Sequence, residues 1–259
     1  MKAGRTGIWL LCQPKSVGQG VALARAGRAD GADGVCFELK RMPEKERTVD
    51  AFRTLIAAAE LPTIFCDYRN DSVFGGDDEA RMAQLLLAAE AGADFVDVMG
   101  DLYEPSFFEL AMSAAAIERQ RRTIETVHAR GAKVLMSSHG LDPAVTRTAD
   151  EIVAHLREQE RRGADVLKLV TPLPDERAFS EAVAALGRLP TEVSKPWIFL
   201  GSGAYGRLQR FIGPSFGCAV EFALHALDPE VPLDQPTIRE FRQGLSAIGV
   251  GIADKMKPV

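Results

Sequence analysis

Short apolar runs alternate with longer amphipathic stretches along the chain. Eight of these runs predict β-strands, at residues 7–12, 34–39, 63–67, 95–98, 133–138, 166–170, 197–200 and 217–222. Their continuous apolar character is typical of parallel strands that are buried on both faces. Between them, apolar residues recur at helical spacing with charged residues interspersed. This pattern predicts helices that include residues 19–26, 78–91, 106–130 and 150–162.

A short phrase containing Gly-Ala recurs where a predicted helix meets the next strand. It occurs at residues 30–33, 91–94, 130–133 and 162–165. Glycine suits the left-handed position that follows the last turn of a helix. Four recurrences indicate repeated β/α units, and eight strands with intervening helices favour a (β/α)8 TIM barrel.

The chain length agrees with this architecture. One TIM barrel typically has about 250 residues, and this chain has 259 residues with no linker-like stretch. We therefore expect a single domain over residues 1–259. The alternative is a doubly wound open sheet, which usually carries a glycine-rich phosphate loop after its first strand. Residues 13–16 read Gln-Pro-Lys-Ser instead, which makes that alternative less favourable.

Charge and cysteine spacing narrow the possible partners. A net charge of -5 argues against a dedicated nucleic-acid partner. The four cysteines never form a CxxC pair, so we expect no metal site. The apolar run near the N-terminus is too short for a signal peptide or a membrane span. We therefore expect a cytoplasmic protein without a membrane partner.

Lys168 stands out because it interrupts an otherwise apolar strand. Lysine is rarely buried without a partner or a purpose. Burial and neighbouring cations favour the neutral amine, which can form a Schiff base with a carbonyl substrate. The alternative is a structural ion pair with Asp97 or Glu38. His139 ends the preceding predicted strand, so it should lie beside Lys168, where an imidazole suits proton transfer near neutral pH.

Several cations at the predicted strand ends are candidates for substrate binding. Arg69 and Arg210 are each able to clamp a carboxylate through paired hydrogen bonds, and the alternative for each is a structural ion pair. Lys40 is expected either to repel a positive charge on Lys168 or to pair with Glu38. In a barrel, groups at the carboxyl ends of the strands form the active site.

With these residues the chain resembles the type I 3-dehydroquinate dehydratases, the Schiff-base class. Residues 134–139 and 163–170 provide the settings in which the family has its catalytic histidine and lysine, at nearly the family's separation. Residues 206–217 match the spacing around the arginine that binds the substrate carboxylate, which falls on Arg210. Residues 66–76 resemble the family's strand ending in Phe-Arg and its later Gly-Gly loop.

The chain also departs from the family pattern. Glu38 keeps the acid of the second strand, but Lys40 stands where an arginine is expected. Phe74 replaces the glutamate before the Gly-Gly pair, Met99 replaces an acid on the fourth strand, and Gly140 replaces the aspartate after the histidine. Changes around a reacting pair affect the rate or the substrate more than the reaction class.

The resemblance implies a carbon–oxygen lyase, a hydro-lyase that needs neither a metal nor an organic cofactor. Lys168 forms a Schiff base with 3-dehydroquinate, and His139 moves the protons that lead to 3-dehydroshikimate. Such an enzyme belongs to the shikimate pathway of aromatic amino acid biosynthesis and is a homodimer. The implied residues that bind the carboxylate substrate or align the site are Arg210, Glu38, Lys40, Arg69 and Gln235, the last on a C-terminal lid.

Two other functions are compatible with the same residues. A divergent Schiff-base lyase or aldolase acting on a related cyclic keto acid or sugar also uses a lysine on a barrel strand. The phosphate group of an aldolase substrate would suit the turn at residues 201–203, Gly-Ser-Gly. The changed positions on the second to fourth strands also fit a barrel that binds a ligand without catalysis.

Overall fold

The computed structural model describes residues 6–140, 142–228 and 235–250, in which eight strands alternate with eight α-helices. The strands are β1 (Gly7–Cys12), β2 (Gly34–Glu38), β3 (Thr63–Cys66), β4 (Phe95–Met99), β5 (Lys133–His139), β6 (Val166–Pro172), β7 (Trp197–Ser202) and β8 (Val220–Ala223). The helices are α1 (Val17–Ala29), α2 (Val49–Ala59), α3 (Asp78–Ala91), α4 (Ala114–Ala129), α5 (Ala149–Arg161), α6 (Glu176–Glu192), α7 (Gly206–Ile212) and α8 (Ile238–Ala247). Short 3-10 turns cover Leu39–Arg41, Glu44–Glu46 and Gly213–Phe216.

All eight strands are parallel, in the order β7-β6-β5-β4-β3-β2-β1-β8. The ring closes where the Ala219 N–H, just before β8, donates to the Trp197 carbonyl of β7 at 2.8 Å. The predicted TIM barrel is therefore confirmed. Within the described residues, none of the helices is long and apolar enough to cross a membrane.

Apolar side chains fill the layer between the strands and the outer helices. Phe65 of β3 packs against Phe37 of β2, with ring centroids 5.1 Å apart, and against Phe52 of α2, with ring centroids 5.0 Å apart. All three rings are fully buried. Alternate residues of the same strands, such as Cys36 and Cys66, face the barrel interior. This alternation carries polar side chains of the strand ends into the mouth of the barrel.

Two predicted elements are wrong at one end. The last strand begins at Val220 rather than at residue 217, because Gly217 has a left-handed φ of 95° and ends a 3-10 turn. The helix predicted from residue 106 begins at Ala114, where the Ser113 side chain accepts a hydrogen bond from the Ala116 N–H. Residues 100–113 therefore form a long loop after β4. This loop reaches the mouth of the barrel.

A buried arginine ties together two loops at the mouth of the barrel. Arg47 donates paired hydrogen bonds to Asp71, each of 2.9 Å, and one of 3.1 Å to Asp67. It also donates to the Leu39 and Met42 carbonyls at 2.8 Å. Burial and the nearby Asp71 raise the pKa of Asp67 to about 7, against the lowering effect of Arg47. The loops after β2 and β3 are thus held together by one guanidinium.

Removing this guanidinium should strongly destabilise the fold. We expect Arg47→Ala to lower the free energy of unfolding by about 3–5 kcal/mol, because two buried carboxyl groups lose their counter-charge. Urea unfolding followed by circular dichroism measures the loss. Arg53→Ala is the control, because Arg53 makes an exposed ion pair with Asp50, and such pairs contribute less than about 1 kcal/mol. Equal effects of the two substitutions would contradict the prediction.

Candidate active site

A cavity of about 280 Å³ lies at the carboxyl ends of the strands. Each of the eight strands contributes at least one side chain to its wall. All seven residues predicted from the sequence line this cavity, namely Lys168, His139, Arg210, Glu38, Lys40, Arg69 and Gln235. The convergence follows from the barrel, which brings the ends of distant strands to one mouth.

Lys168 lies on β6 with only 7% of its surface exposed. Its Nζ donates to the Tyr68 hydroxyl oxygen at 2.8 Å and lies 3.8 Å from Asp97 Oδ2. The Tyr68 hydroxyl in turn donates to the same Asp97 oxygen at 2.7 Å, and Ser137 donates to the other at 2.5 Å. The ion pair with Asp97 that the sequence offered as an alternative is therefore present, with a tyrosine oxygen alongside it.

The amine also faces apolar surface. The ring of Phe222, on β8, has its centroid 5.4 Å from Lys168 Nζ, and Leu11 and Val170 line the same cavity. The amine therefore lies between a polar cluster, formed by Tyr68 and Asp97, and an apolar wall. A lysine amine that faces a cavity is able to form an imine with a carbonyl substrate.

His139 lies at the end of β5 and is held by a carboxylate. Its Nδ1 is 3.1 Å from Glu109 Oε2, and its backbone N–H donates to the same oxygen at 2.6 Å. Burial by itself raises the pKa of Glu109, but the hydrogen bonds and charge of His139 outweigh it and hold that pKa below its usual range. An ionised Glu109 assigns the proton to Nδ1 and makes Nε2 the basic nitrogen of the neutral ring.

Glu109 is a site residue that sequence reasoning missed. It lies in the loop after β4, within a stretch that was predicted as helix, and it adopts a left-handed φ of 47°. A residue other than glycine in this region is strained by about 1–3 kcal/mol, and such strain is concentrated at functional sites. Ser138 donates to its carbonyl at 2.6 Å. The one available signal was Ser113, a favourable N-cap that places the helix start beyond Glu109.

The acid and the base on β2 and its following turn are paired with each other. Lys40 Nζ lies 3.6 Å from Glu38 Oε1, and Gln13 donates to the other Glu38 oxygen at 2.7 Å. Of the two roles expected for Lys40, the structure therefore has the pair with Glu38. The three side chains together form one polar wall of the cavity.

The two arginines differ in how they are held. Arg69 donates to Asp78 at 2.7 and 3.0 Å, to both Asp101 carboxylate oxygens at 2.8 Å, and to the Asp101 carbonyl at 3.1 Å. These five hydrogen bonds match the five N–H groups of a guanidinium, so Arg69 forms the structural ion pairs that were the alternative to a substrate clamp. Arg210, on α7, is buried and donates from Nε to the Gly201 carbonyl at 3.2 Å.

Gln235 lines the cavity and is 9% exposed. The segment 231–234, which the sequence assigned to a lid, lies outside the described residues. Gln235 is therefore placed at the cavity, whereas the lid itself stays a prediction.

The fold and the cavity together define a class of protein. It is a TIM barrel whose mouth holds a buried lysine and, in the same cavity, a histidine that is bound to a carboxylate. A lysine amine is able to form a Schiff base with a carbonyl compound, and a histidine beside it is able to transfer protons. The chain belongs to the type I 3-dehydroquinase family, whose model matches residues 23–252.

Relatives in this family are moderately similar in sequence. The bifunctional 3-dehydroquinate dehydratase/shikimate dehydrogenase of Arabidopsis thaliana is 28% identical over 239 residues, which are 89% of this chain and 36% of the plant protein. The 3-dehydroquinate dehydratase of Aromatoleum aromaticum is 31% identical over 191 residues, 69% of this chain and 65% of that protein. The match thus spans about a third of the plant relative and about two thirds of the bacterial one.

Solved structures have the same fold. The 3-dehydroquinate dehydratase of Geobacillus kaustophilus has a TM-score of 0.78 at 20% identity, covering 95% of this chain and 92% of that one. The type I enzyme of Clostridium difficile, solved with covalently modified comenic acid, has a TM-score of 0.78 at 19% identity, covering 96% and 95%. At these identities the likeness establishes the barrel and no more.

Proposed function

We propose that the chain is a type I 3-dehydroquinate dehydratase, a hydro-lyase that forms 3-dehydroshikimate through a Schiff base on Lys168. The observation that carries this proposal is the pair formed by Lys168 and His139 in one cavity. Tyr68 bonds to the lysine amine at 2.8 Å and packs edge-to-face against the histidine ring with centroids 4.7 Å apart. Both groups are therefore within reach of a single small ring.

The reaction follows from these two side chains. The neutral Lys168 amine attacks the C3 ketone, and loss of water gives an iminium that acidifies the C2 hydrogens. His139 Nε2 removes a C2 proton, and the resulting enamine expels the C1 hydroxyl as His139 returns the proton to the leaving oxygen. Water then hydrolyses the imine and releases the product and the free lysine. Glu109 stabilises the imidazolium that exists between the two proton transfers.

The other cavity residues bind and align the substrate in this proposal. Arg210 holds the carboxylate on C1 through charge-assisted hydrogen bonds. Glu38 and Lys40 face the ring hydroxyls, and Gln235 helps to exclude water. Arg69, whose donors are bound to Asp78 and Asp101, aligns the loops rather than contacting the substrate.

Turnover of 3-dehydroquinate is the direct test. Product formation is followed at the absorbance of the conjugated enone, and borohydride added with the substrate should leave an adduct on Lys168 that peptide mass spectrometry locates. Absence of both turnover and adduct would refute the proposal. Binding without turnover or adduct would favour the ligand-binding barrel, and cleavage of a phosphorylated sugar would favour the aldolase.

A phosphate site in the turn at residues 201–203 has little support from its surroundings. The Gly201 N–H donates to Gln209 Oε1 at 2.6 Å, and Ser202 Oγ lies 3.4 Å from the Thr171 carbonyl. Both groups are thus in contact with acceptors inside the protein, which disfavours an aldolase that binds a phosphorylated sugar at this turn. The dehydratase is therefore the better supported of the two enzyme functions.

A homodimer and a cytoplasmic location stay predictions. Sedimentation velocity measures the oligomeric state.

Glu109→Gln should slow catalysis without unfolding the protein. We expect kcat to fall about 10²-fold, because a neutral amide neither balances the imidazolium nor holds the ring in its tautomer as firmly. Steady-state turnover of 3-dehydroquinate measures the effect. Glu118→Gln, an exposed position on α4, is the matched control and should keep full activity. An unchanged kcat in Glu109→Gln would show that Glu109 has no role in the reaction.

A further inference from the structure

Tyr68 connects the reactive amine to a buried carboxylate. Its hydroxyl oxygen accepts from Lys168 Nζ at 2.8 Å, and its O–H donates to Asp97 Oδ2 at 2.7 Å. The direct distance from Nζ to the same carboxylate oxygen is longer, at 3.8 Å. The shortest hydrogen-bonded route from the amine to the carboxylate therefore runs through the phenol.

The phenol is held in its protonated form. Burial, with the charge of Asp97 beside it, raises the pKa of Tyr68 well above its usual range. A protonated phenol donates with its hydrogen and accepts with its oxygen at the same time. Ser137 fixes the second Asp97 oxygen at 2.5 Å, so the carboxylate keeps its orientation toward Tyr68.

Formation of an iminium requires several proton transfers at one nitrogen. An ammonium has three N–H bonds and the iminium has one, so two protons must leave the nitrogen, and the carbonyl oxygen must gain two to depart as water. His139 is bound by Glu109 through Nδ1, and in the proposed reaction its Nε2 serves the C2 carbon. Tyr68 is hydrogen-bonded directly to Nζ and is therefore placed to carry the protons of the amine.

We infer that Tyr68 is a catalytic proton relay between Lys168 and Asp97 during imine formation. The Lys168 ammonium gives a proton to the phenol oxygen as the phenol proton passes to Asp97 Oδ2. The neutral amine forms the C–N bond while the carbonyl electron pair moves to oxygen, which takes the second N–H proton. Asp97 then returns its proton through Tyr68 to the carbinolamine oxygen, which leaves as water.

The steps balance and leave Asp97 ionised at the end as at the start. A ketone and an ammonium become an iminium and water, and the relay neither gains nor loses a proton. The inference rests on the proposed function, because it takes Lys168 as the amine that reacts. It adds a division of labour in which Tyr68 serves the nitrogen and His139 serves the carbon.

The test measures how fast Lys168 forms an imine, using pyruvate as a small ketone probe. Enzyme and pyruvate are mixed, quenched with borohydride at successive times, and the adduct on Lys168 is quantified by peptide mass spectrometry. We expect Tyr68→Phe to slow adduct formation about 10²–10⁴-fold, the usual effect of losing a general acid–base group. Tyr103→Phe is the matched control, because its hydroxyl bonds to Thr123 at 2.8 Å outside the cavity.

A second variant separates a relay from a merely structural contact. Asp97→Asn removes the proton acceptor and also the negative charge beside the amine. If Asp97 only held the ammonium form, this substitution would speed imine formation, whereas a relay predicts slowing by a similar factor to Tyr68→Phe. Circular dichroism and thermal unfolding show whether each variant is folded. Wild-type rates in Tyr68→Phe, or a faster reaction in Asp97→Asn, would overturn the inference.

The outcomes distinguish this inference from the proposed function. If pyruvate is trapped on Lys168 but 3-dehydroquinate is not turned over, the dehydratase proposal fails and the relay is judged on the pyruvate rates alone. If wild-type Lys168 forms no adduct with pyruvate or with 3-dehydroquinate, the amine is unreactive and the relay is refuted.

Discussion

Lys168→Ala should abolish turnover of 3-dehydroquinate, with a loss in kcat of at least about 10⁴-fold. The lysine supplies the electron sink on which every later step depends, and loss of a covalent nucleophile typically removes most of an enzyme's rate enhancement. Turnover measured at the enone absorbance, together with borohydride trapping, gives both readouts. The adduct should be absent from the variant.

Two controls keep this result interpretable. Lys168→Met retains most of the side-chain volume on β6, so a similar loss of activity in a folded Lys168→Met excludes a packing defect as the cause. Lys195→Ala removes an exposed lysine outside the cavity and should leave turnover unchanged. Substantial activity in folded Lys168→Ala would end the covalent mechanism.

His139→Ala should reduce kcat by about 10²–10⁴-fold, the effect of losing a general acid–base catalyst. The amine and its relay are intact in this variant, so we expect borohydride still to trap an adduct on Lys168. A slow turnover combined with a normal adduct assigns His139 to the steps after imine formation. Single-turnover rapid-quench experiments measure the two quantities separately.

His128→Ala is the matched control for this substitution. His128 is exposed on α4 and bonds to Asp165 at 2.7 Å, away from the cavity. Its replacement should leave both turnover and trapping unchanged. If His139→Ala lost the adduct as well as the turnover, the proposed division between nitrogen and carbon chemistry would be wrong.

Much of the barrel could be predicted because its strands are buried on both faces. Such strands are read directly from continuous apolar runs, and β1 was predicted with the bounds that it has. The errors occur where local backbone geometry decides. Gly217 has a left-handed conformation, so β8 begins after it rather than at it. Ser113 is the N-cap of α4, so that helix begins at Ala114, eight residues later than the apolar spacing predicts.

The site could be predicted as far as strand ends determine it. Lys168 and His139 follow from the pairing of neighbouring strands, since Ser137 of β5 is in register with Lys168 of β6. The role of Glu109 could not be predicted, nor could the choice between the two roles expected for Arg69, because both depend on how loops fold against one another. Tyr68 precedes Arg69, the residue that the resemblance identifies in this segment, and only the three-dimensional structure places the Tyr68 hydroxyl against the lysine.

The origin of Glu109 bears on how sequences of this family are compared. The chain lacks the glutamate expected before the Gly-Gly pair, where Phe74 stands, yet a carboxylate from the loop after β4 binds the histidine. A comparison by motif alone would class such a chain as having lost a functional acid. In this chain the loop after β4 supplies the carboxylate that binds the histidine, so the absence of an acid from one loop at the mouth does not mean that the histidine has no carboxylate partner. Relatives without the motif glutamate should therefore be sorted by whether the loop after their fourth strand carries an acid.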